Sequence, residues 1–182
     1  VKYARKIPLS ISHIKLRSKT FLLGEHVIRK TFSLPRVSRQ YIPQKHLRQI
    51  KDLLPKEIHG LIAGVDLSDI RLIHPHIHTT EQCALNFYIN TSGEKTSFFE
   101  GEVKQDDYDT VDNGNAYLNV KADLLTEVES FVATPGDAWL ISTAQPHAVS
   151  GEGEYTPTDT KTRTMVQIFF TAPFNEISRH LP

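Results

Sequence analysis

Residues 69–100, DIRLIHPHIHTTEQCALNFYINTSGEKTSFFE, decide the fold. The runs DIRLIHPHIH and CALNFYIN, and the run TSFFEGEV that begins at Thr96, are short, and their apolar side chains recur with a period of two rather than 3.6. TSGEK between the last two supplies turn chemistry. The same texture continues downstream. After the acidic, polar loop QDDYDTVDNGN come AYLNV, LLTEVESFVA, the turn TPGD, AWLIS and HAVS, then a second polar loop GEGEYTPTDTK and finally TRTMVQIFF. Seven or eight strands at this spacing predict a mainly β fold of the sandwich or barrel type. The tail PFNEISRHL adds one or two helical turns.

Upstream of this block the pattern is less regular. Residues 7–16 (IPLSISHIKL) and 26–34 (HVIRKTFSL) alternate in places and are expected to form half-buried strands. The segment PQKHLRQIKDLLP predicts a helix near 43–54, since Leu47, Ile50 and Leu54 fall at i, i+3 and i+7 between Pro43 and Pro55. That helix is expected to cover a sheet.

At 182 residues the chain is long enough to bury a substantial core without cross-links. No repeat or linker-like stretch divides it, so a single domain over 1–182 is expected. Its formal net charge of zero conceals an asymmetry: residues 1–60 hold 14 Lys/Arg and 3 Asp/Glu, leaving 7 (21 − 14) and 18 (21 − 3) for residues 61–182. A basic N-terminal elaboration, 1–60, beside an acidic β core, 61–182, is the expected arrangement. It carries no recognisable nucleic-acid motif, and the opposite charge of the rest of the chain offers it a partner. No apolar run approaches the roughly 18 residues of a spanning helix, the first residues lack a secretory signal pattern, and the lone Cys83 has no intrachain disulfide partner. The expected setting is the cytoplasm. The expected partners are a substrate that the sequence does not disclose and a second copy in a homodimer, with neither membrane nor nucleic acid.

The chemistry is concentrated in histidines. His74, His76 and His78 lie at the end of one predicted strand, where alternation places them on one face. Two imidazoles at i and i+2 reach one metal ion, and imidazole suits Zn, Fe, Ni and Cu. A plain exposed histidine cluster is the alternative. PGDAWLISTAQPHAV brings a further imidazole, His147, from another strand, and a remote histidine completing a local pair gives a facial triad with open coordination positions. Arg163, 16 residues on (163 − 147), opens the last strand, where a buried guanidinium forms a bidentate pair with a carboxylate ligand. The other reading of Arg163 is an ordinary surface residue beside the acidic loop. Asn86 and Tyr88 share a strand face and offer hydrogen bonds to a small cosubstrate. Gln167 lies on the face of Arg163, with Met165 and Phe169. Trp139 and Cys83 read as core.

The order His76-x-His78, then His147, then Arg163, together with CALNFYINTSGEKTSFFEG, resembles the iron- and 2-oxoglutarate-dependent oxygenases of the double-stranded β-helix fold, over roughly residues 70–171. The resemblance implies a jelly-roll core with His76 and His147 as iron ligands, Arg163 as the oxoglutarate anchor, and Fe(II) and 2-oxoglutarate as cofactors. His78 falls where that family has a carboxylate. The same residues resemble the cupins, in which HxH and PGD…PHAV are the two motifs and the motif glutamate would be Glu81 or Glu100. Three readings follow: an oxoglutarate-dependent hydroxylase with His76, His78 and His147 on the metal and Asn86, Tyr88, Arg163 and Gln167 around the cosubstrate; a cupin-like metalloprotein that needs no oxoglutarate, with Glu81 or Glu100 as an added ligand; or a non-catalytic binding protein of the same fold.

Overall fold

A computed structural model describes residues 2–14, 22–24, 36–68, 72–104, 107–110, 117–150 and 162–182. Its strands are β1 (Ala4–Ile7), β2 (Leu22–Gly24), β3 (Arg36–Tyr41), β4 (Leu61–Ser68), β5 (Leu72–His78), β6 (Cys83–Asn90), β7 (Lys95–Glu100), β8 (Tyr108–Thr110), β9 (Tyr117–Val120), β10 (Thr126–Val132), β11 (Ala138–Ser142), β12 (His147–Ser150) and β13 (Thr162–Phe170). Among the described residues two α-helices accompany them, α1 (Gln44–Lys51) and α2 (Phe174–His180). One sheet has the order β1-β11-β6-β13-β4-β3-β2, the other β10-β7-β12-β5-β9-β8.

The pairing explains both orders. β10 lies antiparallel to β7, β11 to β6, β12 to β5 and β13 to β4, so the second half of the core retraces the first as one long ribbon. Successive rungs of that ribbon fall in alternate sheets, which is the winding of a double-stranded β-helix, or jelly roll. β1 extends one sheet beyond β11, β3 and β2 extend it beyond β4, and β9 and β8 extend the other beyond β5.

The middle of the first sheet, β6 with β13, is buried on both faces, which is why β6 is a near-continuous apolar run. Cys83, Leu85 and Phe87 join Val166, Ile168 and Phe170 of β13 in an outer core, closed over by Ile7, Ile11, Ile14, Ile42, Ile50, Ile58, Ile177 and Leu181. The opposite parity, Ala84 and Tyr88 with Met165 and Phe169, meets Phe98, Phe131 and Val149 in the space between the sheets. α1 begins directly after Pro43 and buries Ile50 completely, with Leu47 and Leu54 packed beside it and Lys45, Arg48 and Lys51 exposed. It covers the sheet as expected. So does α2, which buries Phe174 and Ile177.

One expectation needs correction, and two features of the strand order were not foreseen. The strand foreseen over 7–16 ends at Ile7, because Pro8 has no N–H for a ladder and the Ser10 hydroxyl accepts the Ser12 N–H (3.2 Å), after which Ser12–Ile14 forms a 3-10 turn. β4 went unforeseen because Gly64 and Asp66 interrupt its apolar pattern, yet it is the first strand of the jelly roll. AYLNV, in turn, is a flanking strand beside β5 rather than a rung of the ribbon. The strand expected over 26–34 lies outside the described residues. Among the described residues, no helix is long and apolar enough to cross a membrane.

Candidate metal centre

His76 and His78 stand at the C-terminal end of β5, and His147, the first residue of β12, pairs directly with His76. Each offers one ligand nitrogen, and the three nitrogens lie within 4.8 Å of one another. His78 and His147 are buried and His76 is half-buried. His74, by contrast, is exposed. The register gives the reason: β12 advances two residues from His147 to Val149 while β5 spans three from His76 to Ile73. The extra residue is a β-bulge beside Pro75, and it reverses the parity so that His74 faces out while Ile73 and His76 face in.

Backbone carbonyls set the histidine tautomers. His76 Nδ1 lies 2.9 Å from the carbonyl of His74, and His147 Nδ1 lies 2.9 Å from that of Gln145. A carbonyl only accepts, so each Nδ1 carries the proton and donates it, leaving the lone pair on Nε2 as the ligand. Burial, followed by the neighbouring His78, pulls the pKa of His76 down to about 4. His147 is driven well below the usual histidine value by burial, then by His76 and His78, with a contribution from the Arg163 guanidinium. Both are neutral at neutral pH, as a metal ligand requires.

The two carboxylates considered as added ligands stand elsewhere. Glu81 Oε2 is 3.7 Å from His78 Nδ1 and accepts the Thr80 hydroxyl at 2.6 Å; contact with His78 is the main cause holding its pKa near 2. Glu100, on β7, is engaged by the Lys2 ammonium and by the Tyr3 hydroxyl at 2.5 Å. Neither belongs to the three-nitrogen group.

Deeper between the sheets, Arg163 is 3% exposed. Its Nη2 donates to the Tyr88 hydroxyl (2.5 Å) and to Thr96 Oγ1 (3.2 Å), and its guanidinium carbon lies 4.7 Å from the centre of the Tyr88 ring. Among the described residues, Nε and Nη1 have no hydrogen-bond partner, and both are buried. Asn86 Nδ2 approaches the same Tyr88 hydroxyl (3.5 Å), and Gln167 Nε2 donates to Asn86 Oδ1 (2.9 Å). A single line of polar groups thus runs along the inner faces of β6 and β13, inside an otherwise apolar wall. Thr96 was not foreseen, although it shares the period-two face of Phe98. Trp139 stacks on Phe131 with ring centroids 3.9 Å apart, and burial raises the Cys83 thiol to about 12, so both belong to packing.

No family model matches the sequence, and no curated protein matches it. Among solved structures the chain is similar to a variant of oxalate decarboxylase from Bacillus subtilis (12% identity, TM-score 0.39, covering 79% of this chain and 27% of that one). It is also similar to vicilin from Corylus avellana (8%, 0.38, 78% and 31%) and to vicilin from Solanum melongena (9%, 0.40, 79% and 30%). The chain therefore spans less than a third of the length of each of these proteins. The double-stranded β-helix assignment rests on the strand order itself.

Proposed function

We propose that the protein is a non-haem Fe(II)- and 2-oxoglutarate-dependent oxygenase, a hydroxylase whose metal is held by His76, His78 and His147 and whose cosubstrate is anchored by Arg163. One observation carries the reading: a guanidinium buried between the sheets, in the same interior as three clustered imidazoles, with two nitrogens that have no hydrogen-bond partner among the described residues. A buried cation costs several kcal/mol unless an anion joins it. The unmet donors of Arg163 therefore call for a carboxylate.

The spacing supports a dicarboxylate. Thr96, which receives Arg163 Nη2, stands two residues along β7 from Phe98, and Phe98 pairs with His147. Two residues of strand are about 7 Å. A five-carbon dicarboxylate has a comparable reach, and we take it to run from the imidazoles toward the guanidinium. Asn86, Tyr88 and Gln167 hold Arg163 in place and line its approach, while Phe98, Met165 and Phe169 exclude water. The donor set fits the metal, because three neutral imidazoles suit Fe(II) among other first-row ions. When bound, iron and the 2-oxo acid supply the oxygen activation and two of the reducing electrons, chemistry that is theirs rather than the protein's.

A second reading, a metalloprotein of this fold that uses no oxoglutarate, draws on the third imidazole at His78, which leaves the ligand set without a carboxylate. Anaerobic titration with Fe(II) and then 2-oxoglutarate separates the two. The first reading expects a visible metal-to-ligand charge-transfer band that disappears in Arg163→Met. Iron binding without that band favours the second, and absence of metal binding removes both.

A further inference from the structure

We propose that Glu81 is a positioning residue of the metal centre, supplying negative charge through His78 rather than by ligating the metal; this rests on the three-histidine reading above. The oxygens behind the three rings differ in kind. Two Nδ1 atoms face neutral backbone carbonyls, at His74 and Gln145, whereas His78 Nδ1 faces a full carboxylate 3.7 Å away. Among the described residues, Glu81 is the carboxylate at ion-pair distance from the group. At 3.7 Å, beyond hydrogen-bond reach, the carboxylate acts on the imidazole as a charge that favours a proton on Nδ1 and makes the metal-facing nitrogen a stronger donor. Three neutral imidazoles bring no charge of their own to a divalent ion, so this is where the site gains one.

The loop is built to keep Glu81 there. The Thr80 hydroxyl donates to Oε2 (2.6 Å), and the Glu81 carbonyl accepts the Thr143 hydroxyl (2.7 Å). The Thr143 carbonyl in turn accepts the His78 N–H (2.9 Å), and the Thr143 N–H reaches the carbonyl of Gln82 (3.1 Å). The β5–β6 connection is thereby laced to the segment that precedes His147. The ligand His78 and the carboxylate behind it share one tether.

The test is Zn(II) affinity by chelator competition for wild type, Glu81→Gln and Glu81→Asp, with the unfolding midpoint of each metal-free protein as the folding control. Glu81→Gln keeps the size and an acceptor oxygen but removes the charge, so a merely structural role leaves affinity unchanged. The expected result is a loss of roughly 10–100-fold in Glu81→Gln, with a more positive Fe(III)/Fe(II) midpoint potential and an unaltered unfolding midpoint. Glu81→Asp, which keeps the charge, stays closer to wild type. Equal affinities and potentials in wild type and Glu81→Gln, or a weaker Glu81→Asp than Glu81→Gln, overturn the role of Glu81 and leave the three-histidine site standing. Failure of the wild type to bind Zn(II) overturns both.

Discussion

Replacing Arg163 with Met should leave the ligand-free protein about as stable as before, which is unusual for removing a buried arginine. Truncating one member of a buried, paired ion pair costs about 3–5 kcal/mol, because the partner is left charged and alone. Arg163 has no such carboxylate partner among the described residues; it has two hydroxyl acceptors and one aromatic ring. The two hydrogen bonds contribute about 1–3 kcal/mol each, since the donor is charged, and the ring contact about 0.5–2 kcal/mol. Against these stands the several kcal/mol released by no longer burying an uncompensated cation. The sum lies near zero, and at about 2–4 °C per kcal/mol for a chain of this size the melting temperature should move by only a few degrees in either direction. With Fe(II) already present under anaerobic conditions, adding saturating 2-oxoglutarate should raise the wild-type midpoint further and leave that of Arg163→Met at its Fe(II)-only value. A fall of more than about 10 °C in the ligand-free variant would refute the reasoning, since it would mean the guanidinium is already compensated and is a structural member rather than a waiting anchor.

Three further outcomes follow from the same contacts. His76 has its folded pKa near 4 against an ordinary 6.5, and His147 is lowered as well, so the unfolded chain takes up these protons first. Stability of the metal-free protein is therefore complete above pH 6.5 and lost as pH falls towards 4, by up to about 1.4 kcal/mol per pH unit per histidine; denaturant titrations across that window that show no slope would contradict it. Gly60→Ala should destabilise by about 1–3 kcal/mol, because a Cβ there would sit 2.6 Å from Ile168 Cγ2 and 2.8 Å from the carbonyl of Phe169, and a melt equal to wild type would disprove that close approach. Glu129→Ala should cost about 1–2 kcal/mol and speed amide exchange in β1, since Glu129 Oε2 accepts the Tyr3 N–H at 2.7 Å and that of Lys2 at 3.3 Å; unchanged exchange at Tyr3 would count against it.

What could be read from the sequence was whatever obeys a strict period of two. His76 and His78 share a face, as do Asn86 with Tyr88 and Arg163 with Gln167, because β6 and β13 run without interruption through those positions. Where the period breaks, the reading failed. One inserted residue beside Pro75 turned His74 outward, and Gly64 with Asp66 hid β4. Contacts across the sheets were beyond local pattern altogether. Thr96 meets Arg163 only because β12, which pairs with β7, belongs to a ribbon rolled until β7 faces β13. Glu81 suggested a ligand by its closeness to HxH, but the turn after β5 swings its carboxylate to the rear of His78.

Charge balance narrows the choice between the two metalloprotein readings. As metal ligands the imidazoles are neutral, so a divalent ion and Arg163 would together place three positive charges between the sheets. Glu81 offsets one, through His78. Two remain, and leaving them uncompensated at a buried site would cost several kcal/mol. Either reading therefore needs an anionic ligand, including the one without oxoglutarate. A monoanion held at the metal alone would leave the Arg163 donors unmet, and one held at Arg163 alone would leave the metal's open positions to water. A dianion that reaches both satisfies each. The same charges predict that monocarboxylates compete weakly with a five-carbon dicarboxylate and that shorter dicarboxylates lose most of the affinity. Thermal shifts across a dicarboxylate length series in the presence of Zn(II) measure this, and a series with no optimum at five carbons would break the link between the metal centre and Arg163.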